Sequence, residues 1–153
     1  MIDVKIKRVR ENALLPTKAH SDDAGWDLYA STKAYDKDGN VVYGTGVAIE
    51  VPKGYVGLLF PRSSNAKKEL LLSNSVGVLD SGFVGEILFK FKPSMIFLDN
   101  IPTQRRLDYT EVYSLGDRIG QLIIIPYPEI GFVEVDELSE TERGAGGYGS
   151  SGK

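Results

Sequence analysis

Glycine and proline interrupt this chain every several residues, 17 and 7 of them in 153 positions. Between them lie short runs rich in Val, Ile, Leu, Tyr and Phe. Such punctuation leaves little room for long helices, because Gly and Pro in a helix interior cost roughly 1 and 3 kcal/mol against Ala. Val4, Ile6 and Val9 open a near-alternating strand. Gly46–Val51, Tyr55–Phe60, Glu86–Phe91, Tyr109–Tyr113, Gln121–Pro126 and Phe132–Leu138 read as further strands. Strands at this spacing predict an all-β sandwich or barrel rather than a parallel α/β sheet. Asp36-Lys37-Asp38-Gly39-Asn40 reads as a turn between two of them, since Asp and Asn tolerate left-handed backbone and Gly favours it. Only Asn65–Leu72 reads as a helix, barely two turns long, with Asn65 or Ser64 as its N-cap. No repeat or linker divides the chain, so residues 1–142 are expected to form one β domain. Residues 143–153 have almost no side chain to bury and are expected to be a mobile segment of that domain.

Composition narrows the chemistry. With no Cys there is no disulfide framework, thiolate metal site or cysteine nucleophile, and a single His20 excludes a multi-histidine zinc site. Eighteen Lys and Arg against 21 Asp and Glu give a formal charge of −3, which argues against broad charge-driven binding to nucleic acid. A small anion is still within reach of a few local Arg and backbone N–H groups. Apolar runs such as Leu122–Ile125 are far too short to span a bilayer, and a soluble, cytoplasmic protein is the expectation.

Several segments could carry function, and each is ambiguous alone. The tail contains G-x-G-x-x-G at Gly144, Gly146 and Gly149, yet it has neither the preceding strand nor the following helix of a dinucleotide fold. What remains is backbone N–H able to wrap phosphate oxygens, with Arg143 and Tyr148 alongside, or a bland flexible end. Pro61-Arg62-Ser63-Ser64 is an anion site at a helix start or a simple serine cap. Val78 to Ile87 holds Asp80 in either an Asx turn or a cleft-facing carboxylate. Asp23-Ala24-Gly25-Trp26-Asp27-Leu28 and Gly116–Gln121 are equally ambiguous, although Asp117 and Arg118 read locally as surface polar contacts rather than catalytic groups.

Taken in order, five segments resemble the five motifs of the trimeric dUTP diphosphatase family, the dUTPases. They are Ala24–Leu28, Pro61–Ser64, Gly77–Glu86, Gly116–Gln121 and Arg143–Gly152. The resemblance implies a distorted jelly-roll, β-sandwich-like barrel and a homotrimer with active sites at subunit interfaces. The implied reaction is hydrolysis of dUTP to dUMP and diphosphate with Mg²⁺, limiting uracil in DNA and supplying dUMP for dTMP synthesis. By position, Asp80 matches the carboxylate that activates water for attack at the α-phosphorus, and Asp27 an outer-shell metal partner acting through water. Arg62, Ser63 and Ser64 match phosphate-gripping positions, and Gln121 one that supports the phosphates or the water. Asn74 and backbone groups of the Asn74–Val84 hairpin, Val78 among them, would read the uracil edge. Phe83 would pack under deoxyribose and exclude a 2′-hydroxyl. Tyr148 would stack on uracil while Arg143, Gly149 and Ser150 close over the substrate.

Departures from the family pattern accompany the match. Phe83 and Tyr148 exchange the usual Tyr and Phe, Ser64 stands where Gly is common, Ser151 where Thr is, and Gly120 replaces a frequent Ala. These imply tuned affinity rather than lost chemistry. The segment 92–115 is longer than in compact members and reads as an extended hairpin, the alternative being a surface for a regulatory partner. A related dCTP deaminase is the competing enzyme, because Arg62-Ser63-Ser64-Asn65-Ala66-Lys67 approaches its signature. Its final Arg is Lys67 here, and its general-base Glu falls at Lys90, which disfavours deamination. A nucleotide-binding regulator without turnover is the remaining alternative, and the presence of Asp80 and Arg143 gives no sign of it.

Overall fold

The alternation seen in the sequence becomes two antiparallel sheets in a computed structural model, which describes residues 1–68, 70–93, 96–98, 101–103 and 112–147. Strands β1 (Lys5–Arg8), β4 (Val41–Glu50), β8 (Glu86–Pro93) and β6 (Leu70–Leu72) lie in that order, with β3 (Thr32–Tyr35) also paired to β4. The second sheet runs β2 (Trp26–Tyr29), β11 (Arg118–Pro126), β5 (Tyr55–Phe60) and β7 (Gly77–Leu79). Within the longer segment 92–115, β9 (Ile96–Leu98) pairs antiparallel with β10 (Ile101–Thr103), as an extended hairpin requires.

Period-two burial explains how the sheets pack. On β8, Ile87, Phe89 and Phe91 are buried while Leu88 and Lys90 face out. The inward set joins Tyr43 and Val47 of β4 to Leu28, Leu59, Leu79, Ile119 and Leu122 of the other sheet in one core. Each large apolar side chain so buried contributes about 1.5–3 kcal/mol. The expected turn is present between β3 and β4. Asp36 Oδ1 accepts from the Asn40 and Asp38 backbone N–H groups at 2.9 and 3.0 Å, and Gly39 has φ +78°. Hydrogen bonds from Asn40 hold the Asp36 carboxyl down at about 2, with Lys90 adding to the effect.

Three expectations meet a different outcome. The helix over Asn65–Leu72 is replaced by a 3-10 turn at Ser63–Lys67 followed by β6, because Leu70, Leu71 and Leu72 pair with Pro93, Lys92 and Phe91 of β8. Sheet pairing outweighs a local helix preference that spans barely two turns. Phe132–Leu138 forms no strand; it runs exposed, with no strand of this chain beside it among the described residues. Of Tyr109–Tyr113, residues 109–111 lie outside the described set, and Val112 and Tyr113 are buried without strand pairing.

Gly120 belongs to the core rather than to affinity tuning. A Cβ there would run into the ring of Phe89 and come within 3.0 Å of the Phe60 carbonyl oxygen. Phe89 cannot easily yield, being stacked on Phe91 at 6.2 Å. Gly120→Ala is therefore expected to destabilise the fold by about 1–3 kcal/mol. Urea unfolding should show a lower midpoint with an unchanged m-value.

Candidate functional site

Strand β11 assembles the site, because it is flanked by two strands carrying different segments. Gln121 is opposite Asp27 of β2 on one side and Phe60 of β5 on the other. The chain leaving β5 therefore delivers Arg62 and Ser63 beside Asp27 and Gln121. Together with Asp23 and Gly25 they line a cleft of about 320 Å³. Gly25 is required by close approach, since a Cβ would collide with the Gln121 amide oxygen. The other end of that amide donates to the Pro61 carbonyl at 3.1 Å, which fixes the side chain toward the turn.

Asp27 is 9% exposed, and each carboxylate oxygen accepts from a different guanidinium. Arg62 Nε lies 2.7 Å from Oδ1 and Arg118 Nη1 lies 3.1 Å from Oδ2. With Asp23 in the same cleft the two carboxylates balance the two guanidinium groups, so an anion would be held by directed N–H donors and the two serine hydroxyls. Arg62 also donates to Ser64 Oγ at 3.2 Å. The serine-cap alternative is not realised: Arg62 occupies the N-cap position in extended conformation, and no side chain caps the turn.

Behind the turn, Asn65 is fixed by two bonds. Its Nδ2 donates to the Leu70 carbonyl at 2.7 Å, and its Oδ1 accepts from the Tyr113 hydroxyl at 2.9 Å. Burial pushes the Tyr113 phenol up, opposed by the nearby Arg62 charge and the Ser64 hydroxyl. Lys68 Nζ lies over the Tyr113 ring at 5.3 Å from its centroid, within reach of a cation–π contact.

Asp80 stands elsewhere. Leu79 of β7 pairs with Gly57 near the start of β5, so Asp80 leaves the sheet at the end opposite to Arg62. From Gly57 to Phe60 the strand rises roughly 10 Å at about 3.3 Å per residue. Asn74, Val78, Asp80 and Phe83 are all exposed on this hairpin, and none lines the cleft. Arg143 donates to the Gly146 carbonyl at 3.0 Å within its own turn. Tyr148, Gly149 and Ser150 lie outside the described residues. Lys90, the deaminase-discriminating position, is paired with Asp36 at 3.3 Å on the outer side of β8.

Among the described residues no group of three or more His, Cys, Asp or Glu converges to hold a metal ion. A caged cation does not fit this donor set. An ion that keeps its own waters, as Mg²⁺ does, would meet the Asp23 and Asp27 carboxylates at the cleft. Sequence reading left Asp23 without a role and missed the Arg118–Asp27 pair. The first precedes Ala24 directly, and the second joins residues 91 positions apart.

A family model described as dUTPase matches residues 11–107. The deoxyuridine 5′-triphosphate nucleotidohydrolase of Corynebacterium glutamicum is 41% identical over 152 residues, covering 98% of this chain and 95% of that protein. A solved Staphylococcus bacteriophage 80alpha dUTPase with dUPNHPP superposes with a TM-score of 0.80 at 31% identity, covering 100% of both chains. A mutant dUTPase from phage phi11 of S. aureus, whose structure details coordination of a structural Mg(II) ion, gives a TM-score of 0.71 at 25% identity, covering 89% of this chain and 98% of that one.

Proposed function

This chain belongs to the dUTPase family and is a dUTP diphosphatase with the jelly-roll-like fold of its relatives, and from that premise we propose how its own residues divide the work. Asp80 accepts a proton from water as the water oxygen attacks the α-phosphorus. The bond to the bridging oxygen breaks in line, and its electron pair leaves with diphosphate. Arg62, Ser63 and Ser64 grip the phosphate chain, and Gln121 orients the phosphates or the attacking water. The hairpin from Asn74 to Val84, Val78 included, pairs with uracil, and Phe83 rejects ribose at the 2′ position. Asp27 would hold Mg²⁺ through its waters, and the ion would supply charge neutralisation at the phosphate oxygens. Arg143, Tyr148, Gly149 and Ser150 close over bound nucleotide as a lid.

The observation that carries this reading is the position of Asp80 and Arg62 at opposite ends of β5. Their separation supports active sites that combine groups from different subunits of a homotrimer. Surface chemistry supports the same assembly. Val78, Leu58 and Ile123 align across the outer face of the second sheet, with Val56 and Ile125 beside them. Phe132, Val133 and Leu138 are 96%, 84% and 87% exposed, an apolar arm with no cover of its own.

Hydrolysis of dUTP in ¹⁸O-labelled water with Mg²⁺ tests the chemistry. The label is expected in dUMP; label in diphosphate would place attack on the β-phosphorus and remove the proposed geometry. Ammonia released from dCTP would favour the deaminase instead. Light scattering is expected to give three times the 16.8 kDa chain mass, and a monomeric active enzyme would refute the shared site.

A further inference from the structure

The phosphate-gripping turn is held from behind by a strap that the proposed mechanism does not use. Residues 112–118 run from Val112, past the turn, to Arg118 on β11. At the far end of the strap, Arg118 shares Asp27 with Arg62. At the near end, Lys68 Nζ reaches the Val112 carbonyl at 3.4 Å and covers the Tyr113 ring. Tyr113 is itself immobilised. Its ring packs edge-on against Tyr43 at 6.0 Å and tilted on Phe91 at 5.7 Å, while its carbonyl accepts from the Tyr43 hydroxyl at 2.9 Å. The bond from this rigid phenol reaches Asn65, the residue directly after Ser64.

We propose that Tyr113 is a positioning residue, whose hydroxyl, acting through Asn65, sets the turn that presents Arg62, Ser63 and Ser64 to the phosphate chain. The physical reason is the brevity of the turn. Five residues of 3-10 geometry have few internal bonds, here Asn65 N–H to the Arg62 carbonyl and Lys68 N–H to the Asn65 carbonyl, both 2.9 Å. Such a turn takes its position from what it is tied to. Asn65 is tied to the core through Tyr113 and to β6 through Leu70, so it is the point where the core dictates where the two serines stand. The inference rests on the reading of Arg62, Ser63 and Ser64 as the phosphate grip.

Tyr113→Phe keeps the ring and its packing and removes only the hydroxyl. Net loss of one such hydrogen bond corresponds to about a fivefold change in an equilibrium constant. Inhibition constants for dUpNHpp and for deoxyuridine, measured as competitors of dUTP, separate the two halves of the nucleotide. We expect Tyr113→Phe to weaken dUpNHpp about fivefold and leave deoxyuridine unchanged. Asn65→Ala should act in the same direction, and the double variant should lose no more than the more damaging single one. Equal weakening of both competitors, no change in either, or full additivity of the two substitutions would overturn the role. Failure of the wild-type chain to hydrolyse dUTP would instead defeat the proposed function, so the two failures are told apart.

Discussion

Asp80→Asn is expected to lower kcat on dUTP by about two to four orders of magnitude, the range usual for loss of a positioned general base. The amide has nearly the same shape and cannot take up the water proton. Asp80 follows β7 on an exposed turn, where the Phe83 N–H donates to its backbone carbonyl at 3.0 Å. That bond does not involve the side chain, so the hairpin should keep its form. Affinity for dUpNHpp should therefore change little, which isothermal titration can measure alongside single-turnover rates. An unchanged kcat would remove Asp80 from the base role, and lost affinity would make it a binding group instead.

Truncation after Glu142 is the second large effect. The described part of the tail bonds only to itself and to the exposed Thr141 just before it, through Arg143 Nε to the Gly146 carbonyl and Gly144 N–H to the Thr141 carbonyl at 3.0 Å. Arg143 and its neighbours are exposed, so their removal exposes no core. Thermal unfolding should be unaltered. The substrate loses a charge-assisted contact, of about 1.5–3 kcal/mol, so kcat/KM should fall by about one to two orders of magnitude. Equal rates with and without residues 143–153 would defeat the lid.

These two expectations come from sequence motifs, and the structure explains why others did not. Strands such as Tyr55–Phe60 and Glu86–Phe91 were legible because one face is buried and alternation records it directly. The turn at Asp36–Asn40 was legible because its hydrogen bonds are local. The apparent helix at Asn65–Leu72 failed because a pairing 19 to 23 residues away, between Leu70–Leu72 and Phe91–Pro93, decides that segment. Phe132–Leu138 has strand composition, yet strand formation needs a partner, and none lies beside it in this chain among the described residues. In the site, residue types were readable but their mutual restraint was not. Asp27 joins Arg62 and Arg118 across 35 and 91 positions, and Asn65 meets Tyr113 across 48. Such ties depend on strand register, which composition does not record.

The arrangement along β5 carries a kinetic consequence. On the proposed shared site, a freshly translated copy would own two half-sites and no whole one, so turnover would begin only after encounter with its siblings. Strong dilution should silence the enzyme reversibly, with a lag on reconcentration set by collision rather than by refolding.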